Sequence, residues 1–175
     1  MSRLTSMSPA ALKAVFSPDA DEDLLMLLTV YDPEDASQVV LRLSDGYTQR
    51  IENLTTDTDV VYGVSSRGND FVFLPMQISL PSEEEAQAPR SSLVLQDVTR
   101  YAVPLIRSIK GPPKILMELV LSSSPNIVEA SFAGFYINSF TYNSDSVTAE
   151  LSMIDYEREP FPQHSFSPIY FPGLF

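Results

Sequence analysis

Cysteine is absent from the 175 residues, which excludes disulfide scaffolds, thiolate zinc sites and cysteine nucleophiles. The same absence fits a chain made in a reducing cytoplasm. Histidine occurs once, as His164, inside a proline-rich terminal strip. It reads as a solvated or interface residue, so no Ser-His-acid triad is expected. Positive charge is scarce. Lys plus Arg number 11 against 23 Asp plus Glu, giving a net charge of −12 and a pI near 4.3. Such a field repels phosphate backbones, so no specific nucleic-acid binding is expected. Glycines number six, scattered singly, and none forms a phosphate-cradling pattern. The most apolar run, DLLMLLTVY (23–31), is far too short to span a bilayer, so no membrane insertion is expected. The opening MSRLTSMSPAALKAVF lacks the continuous apolar core of a signal peptide.

What is present is the composition of a folded globular chain, with 44% hydrophobic and 19% charged residues. One domain with a substantial core is expected at this length. Oxygen ligands occur in DPEDAS (32–37) and NSDS (143–146), but without calcium-loop spacing or its terminal glutamate. Both read as turns with capping side chains. Glu83-Glu84-Glu85 reads as a solvated acidic loop. NLT (53–55) matches a glycosylation acceptor, which has little meaning without a secretory signal. FAGFYINSFTY (132–142) could be a stacking platform for bases or sugars, but alternation in a β-rich core explains it more simply. No catalytic, cofactor-binding or metal-binding residue emerges, and the chain reads as a non-enzyme that needs no cofactor.

The pattern along the chain is mainly that of strands. SPAALKAVFS has Ser8 as N-cap, Pro9 at the first helical position, and Leu12, Val15 and Phe16 along one side. It predicts a short helix, which with its linker fills residues 1–22. LLMLLTVYD follows as a buried strand, then VVLRLSD and YTQRIENLT. TDVVYGVSSRGNDFVFLPMQISLP reads as two strands joined at Arg67-Gly68-Asn69-Asp70. Phe71, Phe73, Met76, Ile78 and Leu80 are expected inward, with the pattern slipping by one position at Leu74-Pro75, as at a bulge or edge. An acidic loop at 81–90 and the strand SSLVLQDV come next. Val98, Tyr101, Ala102, Leu105, Ile106 and Ile109 then share one helix face. This places an inserted helix at about 97–110, capped by Asp97, interrupted by Pro104 and stopped by Gly111-Pro112-Pro113. KILMELVLSS is a strand, and VEASFAGFYINSFTYN pairs with SVTAELSMIDYE as a hairpin turning near Asn143–Ser146. Val147, Ala149, Leu151 and Met153 are expected buried, together with Phe71 and Phe73. The fold class is therefore mainly β: an antiparallel sandwich or split barrel over residues 23–158 with one inserted helix and one N-terminal helix.

Residues 159–175, EPFPQHSFSPIYFPGLF, have neither period. Prolines 160, 162, 168 and 172 remove backbone donors and favour extended conformations. Ordering this strip costs roughly 1–2 kcal/mol per residue. Burying Phe161, Phe166, Ile169, Tyr170, Phe171, Leu174 and Phe175 would return about 1.5–3 kcal/mol each. The two nearly cancel, so the strip is expected to order only in a preformed apolar groove. It reads as an arm for a neighbouring subunit, with those seven residues as the interface.

Taken in order, VSSRGNDFVFLPMQISLP, the acidic loop, LVLQDVTRYAVPLIRSI, the hairpin and EPFPQHSFSPIYFPGLF resemble a family of bacteriophage tail-tip proteins of long-tailed phages and prophages. The resemblance spans about residues 8–175 and is most specific in SRGNDFVFLP and the terminal strip. It implies a tail-tube-like fold and a virion structural role, as a distal-tail or minor tail protein assembled in the host cytoplasm. The implied partners are its own copies in a ring, a hexamer or trimer, and the neighbouring tail-tube and hub proteins. Pro104 departs from the unbroken helix this resemblance implies. A ring threaded by DNA would have an acidic lumen, with Glu83, Glu84, Glu85 and the 32–35 turn as candidates. The alternatives are a non-virion tail-assembly factor and a carbohydrate-binding β-sandwich.

Overall fold

In a computed structural model of the protein, the described residues are 7–17, 22–35, 38–54, 59–79, 90–96, 111–143 and 146–153. The inserted helix expected at 97–110, residues 81–89 of the acidic loop and all seven arm residues lie outside them, while Arg90, expected in the loop, begins a strand. The described elements are α1 (Pro9–Phe16), β1 (Leu24–Tyr31), β2 (Val39–Ser44), β3 (Gln49–Arg50), a 3-10 turn (Glu52–Leu54), β4 (Tyr62–Ser66), β5 (Asn69–Phe73), β6 (Met76–Ser79), β7 (Arg90–Leu95), β8 (Lys114–Leu121), β9 (Ser124–Tyr142) and β10 (Val147–Met153). The ten strands form one sheet in the order β3-β4-β5-β2-β1-β8-β9-β10-β7-β6. All pairings are antiparallel except β2 with β5, which run parallel over two rungs.

The central strand β1 is apolar on both faces because both are covered. Met26, Leu28 and Val30 join a large cluster with residues of β2, β7, β8, β9 and β10. Leu25 and Leu27, on the opposite face, join a smaller cluster with Val64, Phe71 and Val120. In β10 the expected alternation holds: Val147, Ala149 and Leu151 are buried, while Thr148 and Glu150 are exposed.

The sheet cannot be flat. β5 is third in the order and β6 is tenth, a separation of about 34 Å at ~4.8 Å per strand. Only Leu74 and Pro75 separate the two strands in sequence, and three Cα steps reach at most about 11 Å. The far edge must therefore curl back beside β5. Hydrogen bonds mark the junction: Leu74 N–H donates to Ser44 O of β2 at 3.0 Å, and Gln96 N–H, just past β7, donates to Pro75 O at 2.9 Å. One extended run, β5 through β6, thus bonds to β2 in its first half and to β7 in its second.

This run corrects two expectations. There is no slip at Leu74-Pro75, because Val72, Leu74, Met76 and Ile78 all pack on the large cluster in unbroken alternation. What changes is the opposite face, covered at Phe71 and open at Gln77 and Ser79. For the same reason neither Phe71 nor the half-buried Phe73 packs with Val147, Ala149 and Leu151; of the two, Phe71 is the buried one. It belongs to the smaller cluster on the other face of the sheet.

β9 supplies the curvature. Its register against β8 shifts three times and its register against β10 once. Extra residues of this kind bend a strand and increase its twist. At one shift Gly134 takes φ +86°, a conformation costly for any residue with a Cβ.

Helix α1 forms where the sequence places it, with Ser8 Oγ accepting from Ala11 N–H and Pro9 in the first turn. Its inward face is a different one. Ala11 is buried, whereas Val15 and Phe16 are exposed, Phe16 by 68%. The helix is held at its N-terminal end, by Glu129 of β9, rather than along an apolar stripe.

Candidate interaction surface

Two glutamates are buried in the sheet, and each holds a distant segment. Glu118 of β8 receives the guanidinium of Arg67 in a bidentate pair, with Nη1 to Oε1 at 2.9 Å and Nη2 to Oε2 at 2.6 Å. Arg67 sits in the tight turn between β4 and β5 with φ +50°, followed by Gly68 at +75°. Two successive positive φ values match the twist of a two-residue hairpin, and Asn, Asp or Gly is the usual first residue. An arginine there is anchored by its side chain. The Glu118 carboxylate raises the Arg67 pKa above its ordinary value, chiefly through these hydrogen bonds. Around it, Ser66 Oγ donates to Pro125 O at 2.6 Å and Arg67 N–H donates to Asn126 Oδ1 at 2.6 Å. The β4–β5 tip is thereby fixed to the β8–β9 tip.

Glu129 accepts from Ser8 N–H at 2.7 Å and from Ser8 Oγ at 2.8 Å. The serine that caps α1 is thus also the residue that docks it. A third carboxyl, Asp45, accepts from Met26 N–H at 2.7 Å. Burial pushes its pKa up from the ordinary 3.8, against the pull of the Met26 and Asp45 N–H groups.

The smaller cluster does not end in polar residues. Beyond Phe71 on the same face of the sheet, Phe73 meets the ring of Tyr47 at a centroid distance of 5.1 Å, and Tyr47 meets Tyr62 at 5.6 Å. The planes are tilted by 65° and 55°, arrangements favoured by ring quadrupoles. Tyr47 is 60% exposed and Tyr62 49%. Gly46, next to Tyr47, lies so close to Leu25 that a Cβ there would come within 2.5 Å of its Cδ2. The segment carrying Tyr47 is thus packed against β1, while the outer surfaces of the tyrosines stay open.

The other face of the same strands carries the polar groups. Asp70, which alternates with Phe71 and Phe73, accepts from Asn53 Nδ2 at 3.3 Å. It lines a shallow cleft of about 320 Å³ with Leu41, Arg42, Leu54, Asn69 and Val72, where β2 and β5 diverge beyond their two shared rungs. Among the described residues no three His, Cys, Asp or Glu side chains group to hold a metal ion, and no helix is long and apolar enough to cross a membrane. The DPEDAS segment contains the expected turn: Asp32 Oδ1 accepts from Glu34 N–H at 2.8 Å.

Neither the Arg67–Glu118 pair, the Ser8–Glu129 contact nor the ring cluster was singled out from the sequence. Arg67 in a turn position that suits asparagine was the available signal for the pair with Glu118. Tyr47, Tyr62 and Phe73 come from three separate segments and gave none. Of the sequence-derived interface residues 161–175, none falls within the described part. No family model, curated protein or solved structure matches the chain.

Proposed function

We propose that the protein is a structural component of a bacteriophage tail tip, a distal-tail or minor tail protein. In this reading its copies form a ring joining the tail tube to the hub or receptor-binding apparatus, and it acts in the virion as a building part rather than a catalyst. Supporting this are the ordered run of motifs from SRGNDFVFLP to the terminal strip and, above all, the closure made by β5 and β6. A sheet whose third and tenth strands are one continuous run is read here as a split barrel of the tail-tube kind, with β3 and β4 outside the closure. The net charge of −12 suits a wall past which DNA slides without adhering.

A specific observation weighs against the carbohydrate-binding alternative. Sugar sites pair exposed rings with convergent polar groups. Here Tyr47, Tyr62 and Phe73 lie on one face, while Asp70 and Asn53 meet on the other.

Mass spectrometry of purified particles, with light scattering of the isolated protein, tests the assignment. The expected result is a few copies per particle, a ring-sized oligomer or its subunit in solution, and tailless or non-adsorbing particles when the gene is deleted. Presence in lysates with absence from finished particles would replace this reading with an assembly factor.

A further inference from the structure

We infer that the Tyr47–Tyr62–Phe73 cluster is the receiving surface for the proline-and-aromatic segment 159–175 of a second copy of this chain. This rests on the reading of that segment as an inter-subunit arm and gives it a docking site. The rings are tilted against one another rather than stacked flat, so each offers part of its face or edge to an incoming chain. Exposed aromatic surfaces take extended, proline-containing peptides, because such peptides lose little entropy on docking. The chain carries one: four prolines interleaved with Phe161, Phe166, Tyr170, Phe171 and Phe175.

The rings sit on the face of β4 and β5 that also carries Val64 and Phe71 of the smaller cluster, and Gly46 beside Tyr47 lies close against Leu25. A preformed apolar site is what a segment with nearly balanced ordering and burial terms requires. Charge agrees. Arg50, exposed on β3 and directly opposite Tyr62 in the register, stands beside the rings, and Asp155, Glu157 and Glu159, against the one cation Arg158, leave the start of the segment net acidic. Both tyrosines are about half or more exposed, so their outer faces are open to an occupant. The separation of rings from Asp70 and Asn53 favours a peptide over a sugar.

The test uses the full-length protein with a photoreactive benzoylphenylalanine in place of Tyr62, and separately in place of Tyr47. Equal amounts of ordinary and nitrogen-15-labelled protein are mixed in denaturant and refolded together so that their subunits intermix, then illuminated and digested, and the cross-linked peptides are identified by mass. The expected product joins position 62 or 47 to a peptide within 159–175, with about half of the pairs carrying mixed isotopes. Pairs of a single isotope only would mean that each chain docks its own segment, and would overturn the inference. Cross-links to other regions, or no cross-link at either position, would overturn it too. As a second measurement, the paired substitution Tyr47→Ser and Tyr62→Ser should lower the mass seen by light scattering with an unchanged far-ultraviolet spectrum. An oligomer as large as the parent's counts against the surface. Particle analysis separates the two claims: protein found in particles without the cross-link sinks this inference alone, and the cross-link without particle incorporation sinks the tail-tip reading alone.

Discussion

Replacing Arg67 by asparagine sets two effects of opposite sign against each other. The backbone gains, because a left-handed conformation costs an ordinary residue about 1–2 kcal/mol and asparagine tolerates it better, and Arg67 has φ +50°. The side chain loses both hydrogen bonds to Glu118, and a buried carboxylate is left without its cation. Breaking a fully buried pair costs about 3–5 kcal/mol. The Arg67 side chain is 39% exposed, so water screens part of that, and about 2–3 kcal/mol is the appropriate loss. The ion pair wins. Arg67→Asn should destabilise the protein by about 1–2 kcal/mol, a fall in Tm of roughly 2–8 °C at ~2–4 °C per kcal/mol for this size. Adding Glu118→Met, which removes the stranded charge from a site opposite Leu27, should recover most of the loss. Urea unfolding followed by far-ultraviolet circular dichroism reads both variants and their coupling. An Arg67→Asn protein as stable as its parent would refute the argument, because the turn would then be held by its backbone alone.

Asp45→Asn keeps an oxygen to accept from Met26 N–H and removes a carboxyl whose pKa is raised by burial. A raised folded-state pKa adds stability at low pH that is lost as pH rises through it. The variant should therefore match or exceed the parent at neutral pH, with the advantage fading as pH falls toward 3.8; chemical denaturation at several pH values checks this. Glu129→Ala removes both acceptors of Ser8 and should cost about 1–3 kcal/mol, with faster proteolysis within residues 8–17 as its signature. Leu151→Ala, at a site 1% exposed within the large cluster, should cost about 2–5 kcal/mol; a loss below about 1 kcal/mol in urea titration would contradict its placement.

How much of this was legible in the sequence depends on how far apart the deciding residues lie. β10 was readable because Val147, Ala149 and Leu151 alternate with exposed neighbours inside one strand. The start of α1 was readable because Ser8 and Pro9 act locally. Its buried face was not, since Glu129 lies 121 residues away and outweighs the stripe of Leu12, Val15 and Phe16. At Leu74-Pro75 the alternation itself was sound. The misreading came from taking a change in what covers the far face for a change in register. The ring cluster had no pattern within any one segment, because pairing of β3, β4 and β5 brings Tyr47, Tyr62 and Phe73 together.

The placement of β1 has a consequence for synthesis. Its one side is completed at once by β2, but its other neighbour is β8, paired from Tyr31 with Lys114 to Leu24 with Leu121. Those partners are 83 to 97 positions apart (114 − 31 and 121 − 24). At about 5–20 residues per second, a ribosome takes roughly 4–20 s to deliver β8 after β1 has emerged. Through that interval LLMLLTVY presents an apolar edge with unpaired backbone groups, the template on which nascent chains join wrongly. Where many copies are made side by side on one message, the yield of native protein is therefore set by how well the growing chain is shielded until its last third arrives.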